Sequence, residues 1–122
     1  MKDSLGDFAA HHSRQLSKKF RKEVRNTAKH PDEDPIHDLR VSIRRLSQCL
    51  SEFRDFLPHA KRTRKRLGKL MDLAAEMRNR DIAIELVGSA NPALAATLAT
   101  ERDHAKRKLL RALDHWRRRD SA

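Results

Sequence analysis

The chain carries almost no aromatic surface: no Tyr, one Trp and four Phe among 122 residues. Proteins that hold single-stranded nucleic acid stack its bases on aromatic rings, so this chain has little to offer such a ligand. Its single cysteine, Cys49, excludes an internal disulfide and reads as a small packing residue. The chain has no His-Glu-x-x-His string, and the adjacent His11 and His12 point about 100° apart on a helix, so no metal is expected. A glycine-rich phosphate loop is also missing. Asp72, Glu76 and Asp81 are the nearest thing to a magnesium-holding carboxylate cluster, with Arg and Lys close enough in sequence to pair them. Neither a catalytic residue nor a cofactor is expected. Long apolar runs are missing as well, so the chain is read as having no signal peptide and no membrane span, and as cytoplasmic.

What the sequence has is positive charge. Lys and Arg number 28 against 17 Asp and Glu, a formal net charge of +11. Such an excess repels itself in a compact fold and points to a polyanionic partner: nucleic acid, an anionic membrane, an acidic protein or a phosphate polymer. A ligand made of charge without bases would not need the missing aromatics.

Glycine (three) and proline (four) fall at punctuation points, and the rest is rich in Leu, Ala, Arg, Lys and Glu. The pattern predicts a single domain over residues 1–122, all-α, with four helices at about 4–29, 35–57, 59–87 and 92–118. Short turns between long helices predict an antiparallel four-helix bundle. In the first helix Leu5, Phe8, Ala9, His12, Leu16, Phe20 and Val24 form the apolar face. Arg14, Lys18, Arg21, Arg25 and Lys29 recur at steps of three and four as a basic stripe. In the second, Asp34 is the expected N-cap, Pro35 the first helical residue and Pro58 the stop. Ile36, Leu39, Ile43, Leu46, Leu50, Phe53 and Leu57 form its seam. The third opens with Lys61, Arg62, Arg64, Lys65, Arg66 and Lys69, free of acids, and turns Leu67, Leu70, Met71, Ala74, Met77, Ile82 and Leu86 inward. The fourth turns Leu94, Leu98, Ala105, Leu109, Ala112, Leu113 and Trp116 inward and carries its cations on other faces. Arg54, Arg107 and Arg117 to Arg119 read as solvated surface.

On a helical wheel His37, Arg40, Arg44, Ser47 and Ser51 cluster roughly a third of a turn from the seam of the second helix. A cationic line beside a core can sit in a groove between helices. Arg is suited to it, because its planar fork donates two hydrogen bonds to phosphate oxygens and keeps its charge when partly desolvated. His37 can donate to phosphate in either protonation state. Arg40 and Arg44 are separated by about 6 Å of helix rise, which matches a ligand with repeated phosphates. Val41 falls almost opposite the seam, which is read as a sign of a second layer, another protomer.

The string His37-Asp38-Leu39-Arg40-Val41-Ser42-Ile43-Arg44-Arg45-Leu46 resembles the signature of the CHAD family, the conserved histidine α-helical domain. Arg78-Asn79-Arg80-Asp81-Ile82 resembles a second family string in part, with Asn79 in place of an acid, and Ala74-Ala75 departs from the Leu-Gly usual before it. The resemblance implies binding of inorganic polyphosphate in a basic groove, without catalysis. It carries over His37, Arg40, Arg44, Arg45 and Arg78, adds basic positions in the region of Lys61, Arg62, Lys65 and Lys69, and lets Asp81 orient an Arg. The stripe Arg14, Lys18, Arg21 and Arg25 is counted with them. Family members usually hold two four-helix bundles related by a pseudo-twofold, so a homodimer is expected here. A cytoplasmic site on polyphosphate granules would follow. Nucleic acid is the second choice of ligand, resting on charge alone.

Overall fold

A computed structural model describes residues Ser4–Ser121, with the side chains of Asp120 and Ser121 outside the description. Four helices follow one another: α1 (Ser4–Lys29), α2 (Glu33–Glu52), α3 (Ala60–Val87) and α4 (Pro92–Ser121), with no strand among the described residues. The architecture is all-α and built from packed helix pairs, as expected of the four-helix-bundle class. The helices group into two compact units, Met1–Lys69 and Leu70–Ala122, the division falling inside α3.

In the first unit α1 and α2 run antiparallel. Thr27, near the end of α1, lies against Pro35 at the start of α2, and Phe8 meets Phe53 edge-on, 5.7 Å between centroids, at the opposite end. Ala9, Phe20 and Val24 pack with Ile36, Leu39, Ile43, Leu46, Cys49 and Leu50, all buried. Three polar residues join this core, one of them Ser42 on α2, whose hydroxyl donates to the Leu39 carbonyl oxygen at 2.7 Å. Glu23 is 4 % exposed, its carboxylate 3.3 Å from Lys19 Nζ, and Thr27 is fully buried. The Thr27 hydroxyl lies 2.7 Å from the Glu23 carbonyl oxygen and 3.1 Å from that of Pro35, and donates to one of them at a time.

Both ends of α2 differ from expectation. Asp32, not Asp34, is the N-cap residue, because the Ile36 N–H donates to the Asp32 carbonyl oxygen at 3.1 Å and closes the first helical turn there. Pro35 is therefore the third helical residue, still among the positions whose N–H has no helical acceptor, so proline sacrifices nothing. At the other end α2 stops at Glu52. Pro58 disfavours helical backbone at Leu57, and the chain before it folds into turns. Phe53 N–H donates to Cys49 O, Phe56 N–H to Phe53 O, and the Arg54 guanidinium to Ser51 O at 2.9 Å. Phe53 and Leu57 thus lie beyond the helix, half-buried.

In the second unit α3 and α4 also run antiparallel. Arg80 pairs with Glu101 and Asp81 with Arg102, while Leu70, Ala74 and Met77 share burial with Ala105, Leu109, Leu113 and Trp116. The seam fades toward the turn: Ile82, Leu86 and Leu94, expected inside, are 40 %, 82 % and 44 % exposed. On a wheel Ile82 and Leu86 sit roughly 120° from the direction of Leu70, Ala74 and Met77, so extending the inward face through them was an error of angle. Leu5 and Phe8, also expected inside, are about half exposed, since α1 begins beyond the end of α2 and nothing of α2 covers its first turns.

Candidate anion-binding site

The α2 cations spread as a fan. Relative to Ile36, Arg40 points about 40° round the helix, Arg44 about 80°, His37 about 100° and Arg45 about 180°. The buried residues Leu39, Ser42, Ile43, Leu46 and Cys49 fill the other half of the circumference. The amphipathic pattern that buries the seam therefore forces the cations onto the remaining arc. Arg40 and Arg45 border the core from opposite flanks.

Arg45 faces α1. It lies between two adjoining clefts of about 400 and 420 Å³, both lined by Leu16 and Arg45. The first adds Lys19, His37, Asp38, Val41 and Ser42; the second adds His12, Gln48, Cys49 and Glu52. Val41 is thus half-buried in a cleft shared with α1 of the same chain, and its place on the wheel gives no sign of a second protomer. His12 stacks on Phe8 with centroids 5.4 Å apart and also lines the second cleft.

Arg40 lies on the other flank. It is half-buried, and its Nε is buried without a hydrogen-bond partner. A buried donor on a charged group left unmade is unfavourable by about 1–3 kcal/mol or more, so such a group attracts an anionic acceptor. Arg44 is exposed.

The other expected ligands fall into separate groups. Arg14, Lys18, Arg21 and Arg25 form an exposed stripe on α1, about 110° round the helix from the direction of Phe20 and Val24 and outside both clefts. The α1 cation that does line a cleft is Lys19, which no reading of the stripe picked out, since it sits one step off the stripe's period. Lys61, Arg62, Lys65 and Lys69 are exposed on the first turns of α3. Arg78 is exposed on the part of α3 that belongs to the second unit.

Few of the cations, candidate ligands or not, stand in an ion pair among the described residues. The ion pairs are Lys19–Glu23, Arg80–Glu101, Arg102–Asp81 and Arg118–Asp114. Among the described residues, none of the thirteen candidate ligands, His37, Arg40, Arg44 and Arg45 included, is held by a carboxylate. Asp81 does orient an arginine, as expected, and its partner is Arg102 on α4. Arg80 Nε is 3.0 Å from Glu101 Oε2 but makes no hydrogen bond, so this is a charge contact without N–H alignment.

In the second unit, Glu76, Arg80, Thr100, Glu101, His104, Ala105, Arg107 and Lys108 line a cleft of about 440 Å³ with both signs of charge, and Arg107 is exposed there, as expected. Among the described residues no group of three or more His, Cys, Asp or Glu could hold a metal ion. Among the described residues no helix is long and apolar enough to cross a membrane. Burial raises the Cys49 thiol above its ordinary range, and the Glu52 carboxylate adds to the rise, the opposite of what a nucleophile requires.

The chain is an all-helical domain with an arc of cations beside the seam of α2. The chain is a member of the CHAD domain family, whose model matches residues 3–121, nearly its whole length. That family is associated with polyphosphate binding and is generally a binding rather than a catalytic domain. No curated protein and no solved structure matches the chain.

Proposed function

We propose that this chain binds inorganic polyphosphate, without turning it over, through the cations of α2, with Arg40 and Arg44 as its centre. The observation that carries this is Arg40: half-buried, its Nε shielded from water, and without acceptor or carboxylate. A phosphate oxygen supplies both the hydrogen bond and the charge. Arg44 follows one turn later at about 6 Å of rise, and His37 and Arg45 continue the arc, so a string of phosphates meets successive donors. The exposed rows Arg14, Lys18, Arg21 and Arg25, then Lys61, Arg62, Lys65 and Lys69, with Arg78, add field and loose contacts along a longer chain.

Titration calorimetry with polyphosphate of defined length tests this. Arg40→Ala with Arg44→Ala lowers affinity at least about tenfold, since each charge-assisted contact contributes about 1.5–3 kcal/mol, while the circular dichroism of the helices is unchanged. Affinity falls steeply with salt as counterions are released. An unaltered affinity in the double variant overturns the reading. Nucleic acid is the second reading, supported by net charge alone. It takes over if duplex or single strands displace polyphosphate at equal phosphate concentration. Phosphate release from polyphosphate by clean protein would overturn the non-catalytic part. Location on polyphosphate granules in the cytoplasm would follow from tight binding, and a tagged chain that stays diffuse in granule-bearing cells contradicts it. A homodimer is a separate proposal.

A further inference from the structure

The longest stretch without Lys, Arg or His runs from Asp81 to Glu101. In a chain of net charge +11, these 21 residues carry three acids and no cation, so they hold −3 and the rest of the chain +14. They form the end of α3, the turn and the start of α4. The same stretch holds Leu86, at 82 % the most exposed large apolar side chain, with Ile82 and Leu94 at 40 % and 44 %.

This tip is built, not frayed. Gly88, at φ 54°, closes α3 by donating to Ile84 O at 2.8 Å, and Ala90 N–H donates to Val87 O at 3.1 Å. The Asn91 side chain caps α4 by accepting from the Leu94 N–H at 3.1 Å. Leu94 lies on the same line of α4 as the buried Ala105 and Leu109, so part of the inward seam stays uncovered here. On α3, Ile82 and Leu86 are one turn apart on a second line. An exposed apolar end held in shape by these hydrogen bonds is a candidate association surface.

Its charge selects the occupant. Two copies at +11 repel wherever cations face each other, and this stretch is where two can meet without adding one cation to the contact. Asp81 and Glu101 are already neutralised by Arg102 and Arg80, leaving Glu85 as the acid without an ion pair. We propose that two copies of the chain associate through the α3–α4 tip, with Ile82, Leu86 and Leu94 as the contact. This names the surface for the homodimer and is independent of polyphosphate binding.

Salt gives the two readings opposite signs. Added salt screens the repulsion between copies and leaves apolar burial intact, so association tightens. Polyphosphate binding weakens under the same change. The experiment is sedimentation velocity of the full chain without polyphosphate, across a concentration series at about 0.05 and 0.5 M sodium chloride. The expected mass rises from 14.2 kDa toward twice that value, at lower concentration in high salt. Leu86→Lys with Leu94→Lys weakens association at least about tenfold, the effect of losing about 1.4 kcal/mol of contact. Because both side chains are exposed, helicity is kept. Phe56→Lys, in the exposed apolar group at the other turn, leaves association unchanged. A chain that stays monomeric throughout overturns both the dimer and its surface. A dimer that survives the double variant, or dissolves with Phe56→Lys instead, overturns the tip alone. Calorimetry on the same samples reports polyphosphate binding separately, so a failure there leaves this result standing.

Discussion

The two compact units differ in charge balance and in how their cations are paired. Residues 1–69 hold 18 Lys and Arg against nine Asp and Glu, a net +9; residues 70–122 hold ten against eight, a net +2. In the second unit Arg80, Arg102 and Arg118 have each found a carboxylate. In the first unit Lys19 pairs with Glu23, while among the described residues the α2 arc is left without an ion pair. Satisfied pairs hold helices in register. The unpaired cations of the α2 arc are the ones the proposed reading assigns to a ligand.

The largest effect expected is on the core that carries the arc. Phe20→Ala empties a fully buried position against α2 and destabilises by about 3–5 kcal/mol in chemical denaturation. Leu86→Ala, with its side chain 82 % exposed, changes stability by less than about 0.5 kcal/mol at concentrations where the chain is monomeric. Equal losses would mean that the tip is as structural as the α1–α2 seam and would erase the contrast between the two units.

Next in size is the split between free and paired cations. Arg80→Ala with Arg102→Ala removes as much charge as Arg40→Ala with Arg44→Ala. The first double variant destabilises by about 1–2 kcal/mol, because Arg102 and Asp81 are part-buried, and lowers polyphosphate affinity by less than about threefold through the weaker overall field. The second does the reverse. Thermal melts beside calorimetry measure both. Matching affinity losses would show that only total charge matters, and the site would dissolve into a uniformly basic surface.

Much of this was legible in the sequence. The four helices, the α1 range and the start of α4 follow from apolar spacing and from Gly and Pro placement, because both act over one or two turns. The motif from His37 to Leu46 led to the family and to Arg40. What was not legible depends on which element stops first. Phe8 and Leu5 continue the α1 period, but α2 ends at Glu52 and leaves them half bare. Leu86 fits a loose helical period and faces outward, since 3.6 residues per turn carries it off the seam by then. Glu23, which no apolar pattern singles out, lies three residues after Phe20 and four before Thr27, on the buried face. The separation of Arg45 from Arg40 by the width of the helix could have been read from the wheel, and the buried, unpartnered Nε of Arg40 could not.

Smaller effects test the polar part of the first core. Thr27→Val keeps the shape and removes a donor buried between α1 and α2, leaving carbonyl oxygens that already serve the helices. A loss of about 1 kcal/mol in chemical denaturation is expected; no loss would show the hydroxyl to be dispensable. Cys49 gives a chemical check on the same seam. Its thiol is buried and held above its ordinary pKa of 9.0. A raised folded-state pKa favours the protonated form, so stability is full below 9.0 and declines as pH rises past it. Alkylation at pH 8 should be much slower in the folded chain than in denaturant. Fast labelling would mean that the α1–α2 seam opens readily.

The finest comparison is between the two turns. Gly88 after α3 sits at φ 54°, where glycine is unstrained, and His59 before α3 sits at φ 65°, where a side chain crowds the backbone. Gly88→Ala should destabilise by about 1 kcal/mol, since a Cβ gains no new contact there beyond the Glu85 carbonyl oxygen at 3.6 Å. His59→Gly should do the opposite on a smaller scale. Relief of the left-handed strain is offset by the greater freedom of glycine in the unfolded chain, for a net gain of about 0–0.5 kcal/mol. Since His59 is exposed and accepts the Thr63 N–H only through its backbone carbonyl, its imidazole has no fold-holding role to lose. A clear loss of stability in His59→Gly would show instead that the histidine side chain anchors the entry to α3, and with it the exposed row from Lys61 to Lys69.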